Sequence, residues 1–251
     1  MASISVANVG IVFPIYDARG RSLKSRAYDS VRKRSHTSSS ITLITALDGV
    51  SLELRDGDRL GIIGRNGSGK TTLLRVLSGI YEPTSGSVAI DGSVASMTDL
   101  TMGMDSDATG EENIIIRGIL LGLTRKEAVS LIEPVRDFTE LADRLQYPIR
   151  TYSTGMLLRL AFAISTSIKP DILVMDEMIG AGDAHFLEKA RMRVQSLIGA
   201  SSILAISSHN LPMIREFCTS AILLNNGQLL AQGSVDEVIA RYEQLDGESP
   251  V

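Results

Sequence analysis

From Ile4 to Val9 apolar residues alternate with small polar ones, the pattern of a strand with one buried face. The run Val12–Tyr16 follows, and Pro14 predicts that regular structure stops there, because proline cannot donate to a ladder. The signal returns at Leu47. Strands are predicted at Val50–Leu54 and Arg59–Ile63, around an Arg55-Asp56-Gly57-Asp58 turn, and a glycine-rich turn then leads into a helix-compatible run, Lys70–Leu77. Glu82 to Gly86 is turn chemistry before a strand at Ser87–Ile90 and a second turn at Asp91-Gly92. Residues 104–168 lean helical, with apolar positions recurring at three and four, and Ser153 caps a helix that stops before Pro170. Ile172–Met175 and Ile203–Ser207 are short apolar strands, Asn225-Asn226-Gly227 marks a hairpin, and Asp236–Gln244 closes as a helix. Strands alternating with helices predict an α/β fold. No internal repeat and no extended linker divides the chain, which predicts one domain over residues 1–251.

Composition narrows this picture by exclusion. An apolar fraction of 44% is ample for a packed core, and a single cysteine, Cys218, rules out a disulfide framework or a cysteine-based zinc site within one chain. A net charge of -4 gives no general affinity for nucleic acid. No stretch reaches the ~20 apolar residues that span a bilayer, and the N-terminus lacks a basic signal-peptide start. The expectation is a soluble cytoplasmic chain; any membrane process would need a partner for the membrane part. One local charge bias stands out: Asp17 to Ser40 holds seven basic side chains against two acidic ones.

The chemistry begins at Gly64-Arg65-Asn66-Gly67-Ser68-Gly69-Lys70-Thr71, which matches G-x-x-x-x-G-K-[S/T] between a predicted strand and a predicted helix. Glycines let successive backbone N–H groups converge on a phosphate, and the helix beginning at Lys70-Thr71-Thr72 points its positive end at the same anion. Lys70 would reach the outer phosphates and Thr71 would ligate Mg2+. The matching acidic half is Ile172-Leu173-Val174-Met175-Asp176-Glu177: Asp176 at a strand tip would hold Mg2+ through water, and Glu177 would act as general base on the attacking water.

Two further segments resemble ATP-binding cassette (ABC) ATPases. Tyr152-Ser153-Thr154-Gly155-Met156, leading into an apolar helix just before the acidic strand, is similar to that family's signature, usually L-S-G-G-Q; His209 in Ser207-Ser208-His209-Asn210 stands where the family has its switch histidine. Gly182-Asp183 resembles its D-loop. The resemblance implies a P-loop NTPase fold: a RecA-like lobe with a mixed sheet, an N-terminal antiparallel β portion and a helical lobe at about 104–168. It also implies that two copies face head to tail around two ATP molecules. Ser153 and Gly155 of one chain then meet the ATP held by Lys70, Thr71, Asp176, Glu177 and His209 of the other. An aromatic, either Phe13 or Tyr16, would stack on adenine.

Within the family, Thr109-Gly110-Glu111-Glu112-Asn113-Ile114, the stretch Asp176–Ala184 and the basic insertion 17–41 resemble ATPases of bacterial polysaccharide exporters for O-antigen, capsule or teichoic acid. That implies a transmembrane permease partner, a lipid-linked polysaccharide cargo, no nucleic acid, and a peripheral place on the cytoplasmic face of the membrane. The sequence departs from most cassettes at Ser96–Leu100, which lacks the usual glutamine; Asp99 is the nearest polar substitute. The stretch after His209 is also too short for the ~100 residues of a β-sandwich, so a C-terminal glycan-binding domain is not expected. Two other readings remain: an importer's ATPase, which would normally keep the glutamine and lack the insertion, and a soluble ABC ATPase acting on ribosomes or DNA.

Overall fold

The computed structural model describes residues 1–16, 41–176 and 184–247. Two sheets carry the chain. A three-stranded antiparallel sheet is ordered β2-β1-β4, from β1 (Ser3–Tyr16), β2 (Ile41–Arg55) and β4 (Ser85–Asp91). A six-stranded sheet is ordered β5-β6-β7-β3-β8-β9, from β3 (Arg59–Ile63), β5 (Val94–Ser96), β6 (Ile172–Asp176), β7 (Ile203–Ser207), β8 (Ser220–Asn225) and β9 (Gln228–Ser234). The first five of these strands run parallel and β9 is antiparallel to β8. The fold is thus α/β with a mixed sheet.

Burial explains the layering. β7 is buried at every position and β3 at all but the first, as parallel strands covered on both faces must be. One core lies between the antiparallel sheet, α1 (Lys70–Leu77) and the near face of the mixed sheet, and is filled by Ile4, Val6, Leu52, Leu54, Leu73 and Leu77 among others. The far face is covered by α6 (Ala184–Ala200), α7 (Leu211–Phe217) and α8 (Val235–Gly247).

The expected helical lobe is present, as α2 (Gly110–Leu120), α3 (Arg125–Ser130), α4 (Ile132–Thr139) and α5 (Thr154–Ser165), around a core of its own that includes Ile114, Leu145 and Leu160. The Thr109–Ile114 motif has a local physical reason here. Thr109 caps α2: its Oγ1 accepts from Glu112 N (3.1 Å), and Glu112 Oε2 accepts from Thr109 N (2.7 Å). Buried Asn113 donates from Nδ2 to the carbonyls of Asp105 and Thr109, both at 2.9 Å, pinning the incoming chain. Thr109→Ala should therefore cost about 1 kcal/mol, read as a lower denaturant midpoint with an unchanged slope.

The strand boundaries correct one expectation. β1 does not stop at Pro14, which pairs with Leu43 of β2 in a ladder running on to Tyr16. Pairing with β4 ends at Gly10, so beyond it β1 has β2 on one side only. A strand with one open edge tolerates a missing N–H. β2 likewise starts at Ile41 rather than Val50, because its first residues pair with the end of β1. The basic segment at residues 17–40 lies outside the described residues.

Candidate functional site

The parallel strands β3, β6 and β7 end together, and the loops leaving their carboxyl ends enclose a cleft of about 470 Å³. Asn66, Gly67, Gly69, Lys70, Thr71 and Thr72 line it from the glycine-rich turn; Thr98, Asp176, Ser207 and His209 line it from the other strand ends. Such a crevice at the strand ends is where α/β sheets take their ligands.

The turn is shaped by contact with its neighbours. Gly69 caps α1 in the left-handed region (φ +107°), and a Cβ there would stand 2.7 Å from the carbonyl of Ala46 in β2. At Gly64 a Cβ would meet the Leu224 carbonyl at 2.4 Å. The hairpin turn braces the same loop, since Gly227 N donates to the Ser68 carbonyl at 2.9 Å, and Asp48 N to the Gly227 carbonyl at 2.9 Å. Only glycine fits this close approach.

What remains inside the turn suits an anion. No side chain caps the N-terminus of α1, so its positive end is left for a ligand. Lys70 is buried, its Nζ donating to the carbonyls of Gly64 (2.7 Å) and Arg65 (3.0 Å), which holds the ammonium within the loop. Ser68 Oγ is buried with no hydrogen-bond partner, an unmet polar atom in the wall of the cradle. Arg65 and Asn66 are exposed at its rim.

Opposite, Asp176 draws in two hydroxyls: Thr71 Oγ1 donates to Oδ2 at 2.6 Å, and Ser207 Oγ donates to Oδ1. The register of β6 and β7 sets this directly, since Asp176 and Ser207 are partners in the ladder. A carboxylate with an adjacent hydroxyl is a hard oxygen donor set, the kind that Mg2+ takes together with phosphate oxygens and water. The chain thus fits a nucleotide triphosphate with a divalent cation, on the donor set, the open helix end and the unmet Ser68 hydroxyl.

The sequence-derived residues divide as follows. Gly64 to Thr72, Asp176 and His209 come together; His209 is exposed at the cleft. Glu177 lies outside the described residues, as do Gly182 and Asp183. Ser153 accepts from Met156 N (3.3 Å) as the N-cap of α5, on the exposed surface of the helical lobe and not in this chain's cleft. A Cβ on Gly155 would meet nothing closer than Ser153 Oγ at 4.0 Å, so packing does not require that glycine. Phe13 does not line the cleft: its ring meets Tyr81 edge-on at 5.6 Å, although its cross-strand partner Ile44 does line it. The side chain of Tyr16 lies outside the described residues.

Five residues to which the sequence motifs give no role also line the cleft: Ile44, Thr45, Ala46, Thr98 and Ser207. Ile44 and Ala46 give the cleft an apolar end, Ser207 holds Asp176, and Thr98 reaches the cleft from the Ser96–Leu100 stretch that lacks a glutamine. Asp99, the substitute suggested by the sequence, instead accepts from Thr101 N and Oγ1 (3.2 Å each) outside the cleft lining. A polar residue ending the apolar run of β7 was the available signal for Ser207.

Comparison with known proteins agrees with this geometry. The ABC transporter family profile matches residues 47–180. The O-antigen export system ATP-binding protein RfbE of Yersinia enterocolitica is 41% identical, over 94% of this chain and 99% of that protein. RfbB of Myxococcus xanthus, also an O-antigen export ATP-binding protein, is 41% identical over 81% of this chain, which spans 46% of that longer protein. The teichoic acids export ATP-binding protein TagH of Staphylococcus haemolyticus is 35% identical over 97% of this chain and 89% of its own length. Among solved structures, a dimeric ATP-binding cassette in a post-hydrolysis state with ADP and phosphate superposes with a TM-score of 0.66, at 19% identity, over 92% of this chain and 98% of that one, which shows the shared fold. The chain belongs to the ABC transporter family, as an ATP-binding subunit whose ATP hydrolysis is coupled to transport.

Proposed function

We propose that this chain powers export of a lipid-linked polysaccharide, of O-antigen or capsule type, across the cytoplasmic membrane. The observation that carries the reading is the end-to-end match to the Yersinia O-antigen export protein. No described helix is long and apolar enough to cross a membrane, so the conduit is assigned to a separate permease, with this chain bound peripherally at its cytoplasmic face.

In this reading the chain is one cassette and works as a pair. Lys70 and the N-terminal amides of α1 hold the β- and γ-phosphates, and Arg65, Asn66 and Ser68 complete the loop around them. Thr71 and Asp176 would hold Mg2+, which when bound would neutralise charge on the phosphates. Glu177 takes the proton of the attacking water, while His209 contacts the γ-phosphate and orients that carboxylate. Ser153 and Gly155 come from the second copy, which accounts for an exposed helix N-terminus and for a glycine that packing does not require. The apolar end at Ile44 and Ala46 receives the base, with Phe13 or Tyr16 beside it. The basic insertion 17–41 faces the membrane, where the permease, anionic headgroups or the cargo's pyrophosphate meet it.

The test is genetic and chemical together. A polysaccharide-exporting host deprived of this chain should accumulate lipid-linked polymer inside and lose it from the surface; the wild-type copy should restore export and a Lys70→Ala copy should not. Unchanged surface polymer in the deprived strain would refute the cargo assignment while leaving the ATPase assignment intact.

A further inference from the structure

Among the described residues two cations are buried, Lys70 and Arg117. The first belongs to the phosphate loop. The second sits in the last turn of α2, in the helical lobe and outside the cleft lining. A guanidinium held out of water requires partners for its donors. Nη1 donates to the Leu100 carbonyl, and Nη2 donates to Ser165 Oγ at 3.2 Å. Burial pulls the Arg117 pKa down from its ordinary value while the Asp99 carboxylate works to raise it; an arginine keeps its charge under such opposing influences.

The two acceptors lie on different parts of the molecule. Leu100 is two residues beyond Thr98, which lines the cleft with Asp176, Ser207 and His209. The intervening chain is tightly wound, with Ser96 Oγ against Thr98 Oγ1 (3.0 Å) and Asp99 capping Thr101. Ser165 ends α5, the helix whose other end carries Ser153 and Gly155. One side chain therefore touches the segment leaving the cleft, the helix it stands on, and the helix that presents the exposed Ser153 end.

We propose that Arg117 is a positioning residue that rivets the Thr98–Leu100 segment to α2 and α5, so that closure of the cleft on nucleotide moves the Ser153 end of α5 as a rigid unit. The proposal rests on the nucleotide reading of the cleft. Arginine is the side chain suited to this task, because its planar fork serves two acceptors in fixed directions at once; the single nitrogen of lysine serves them less completely. An apolar replacement removes the donor from the half-buried Leu100 carbonyl.

The experiment compares Arg117→Met, Arg117→Lys and Ser165→Ala in the full chain, reading ATP affinity, turnover and a label distance. Spin labels at Asp91→Cys, on the sheet lobe, and Lys126→Cys, on the helical lobe, occupy exposed positions. The native Cys218 is buried, its thiol pKa pushed up to about 12, and takes no label. The parent should show a shift in label distance on adding Mg-ATP. Arg117→Met should bind ATP within about two-fold of the parent, lose the shift, and turn over about ten-fold more slowly, a factor typical of one lost buried charge-assisted contact. Arg117→Lys should recover part of both, and Ser165→Ala should fall between. Parental turnover and shift in Arg117→Met would overturn the proposal. So would ATP affinity lost in step with turnover without rescue by lysine, which would mark Arg117 as general packing. If Arg117→Met does not fold, Ser165→Ala decides: unchanged turnover and shift would overturn it. A parent chain that binds no ATP sinks the cleft reading first, and this proposal with it.

Discussion

Lys70→Ala will lose ATP affinity by about thirty-fold or more, while His209→Ala will bind ATP within a few-fold of the parent and hydrolyse it slowly. The first expectation follows from burial. The Lys70 ammonium is held inside the loop by the Gly64 and Arg65 carbonyls, so its charge faces a bound phosphate with little water between. Removing one partner of such a desolvated charge pair costs about 2–5 kcal/mol, and 1.4 kcal/mol is a factor of ten in Kd. His209 is exposed at the mouth of the same cleft and contributes no backbone support to the cradle. With the role proposed for His209, its loss would affect the reacting end of the nucleotide rather than its anchorage. Calorimetric titration with a non-hydrolysable ATP analogue separates the two, with a circular dichroism melt confirming that each variant is folded. An equal loss of affinity in both variants would contradict this division.

Asp176→Asn will bind ATP without Mg2+ as the parent does, but its hydrolysis will fall by about a hundred-fold and will no longer respond to Mg2+. Asparagine preserves the shape of the site: its carbonyl oxygen accepts from one of the two hydroxyls, Thr71 or Ser207, and its amide donates to the other. The negative charge that draws a divalent cation is gone, and lost electrostatic support at a developing charge typically costs 10²–10³ in turnover. ATPase rates across a Mg2+ titration check the claim. A parental Mg2+ response would remove Asp176 from the metal site.

Much of the site was legible because its chemistry is local. Nine consecutive residues, Gly64 to Thr72, make one cradle, and β3 (Arg59–Ile63) and α1 (Lys70–Leu77) follow from the apolar residues on either side of it: Leu60, Ile62 and Ile63 before, Leu73, Leu74, Val76 and Leu77 after. The acidic strand announced itself in the same way. What escaped depends on contacts between distant segments. Ser207 matters because β7 lies beside β6 in register, and Thr98 because β5 lies along the other edge of β6. Pro14 misled because its tolerance depends on which edge of β1 is open, and that is set by where β4 stops pairing. The helix α6 carries a local signal of its own: Phe186, Ala190, Val194 and Leu197 recur at helical spacing and form its buried face.

The bracing of the phosphate loop by β2 and by the Asn225-Asn226-Gly227 turn means that the loop acquires its shape when the chain folds, not when ATP arrives. Little conformational freedom then remains to be surrendered on binding, and nucleotide capture becomes a question of diffusion and charge rather than of loop rearrangement. Selection for ATP affinity would consequently reach a residue outside the cleft lining. Gly227 would belong to the binding energetics through the entropy it has already removed, although by position it is a hairpin connector.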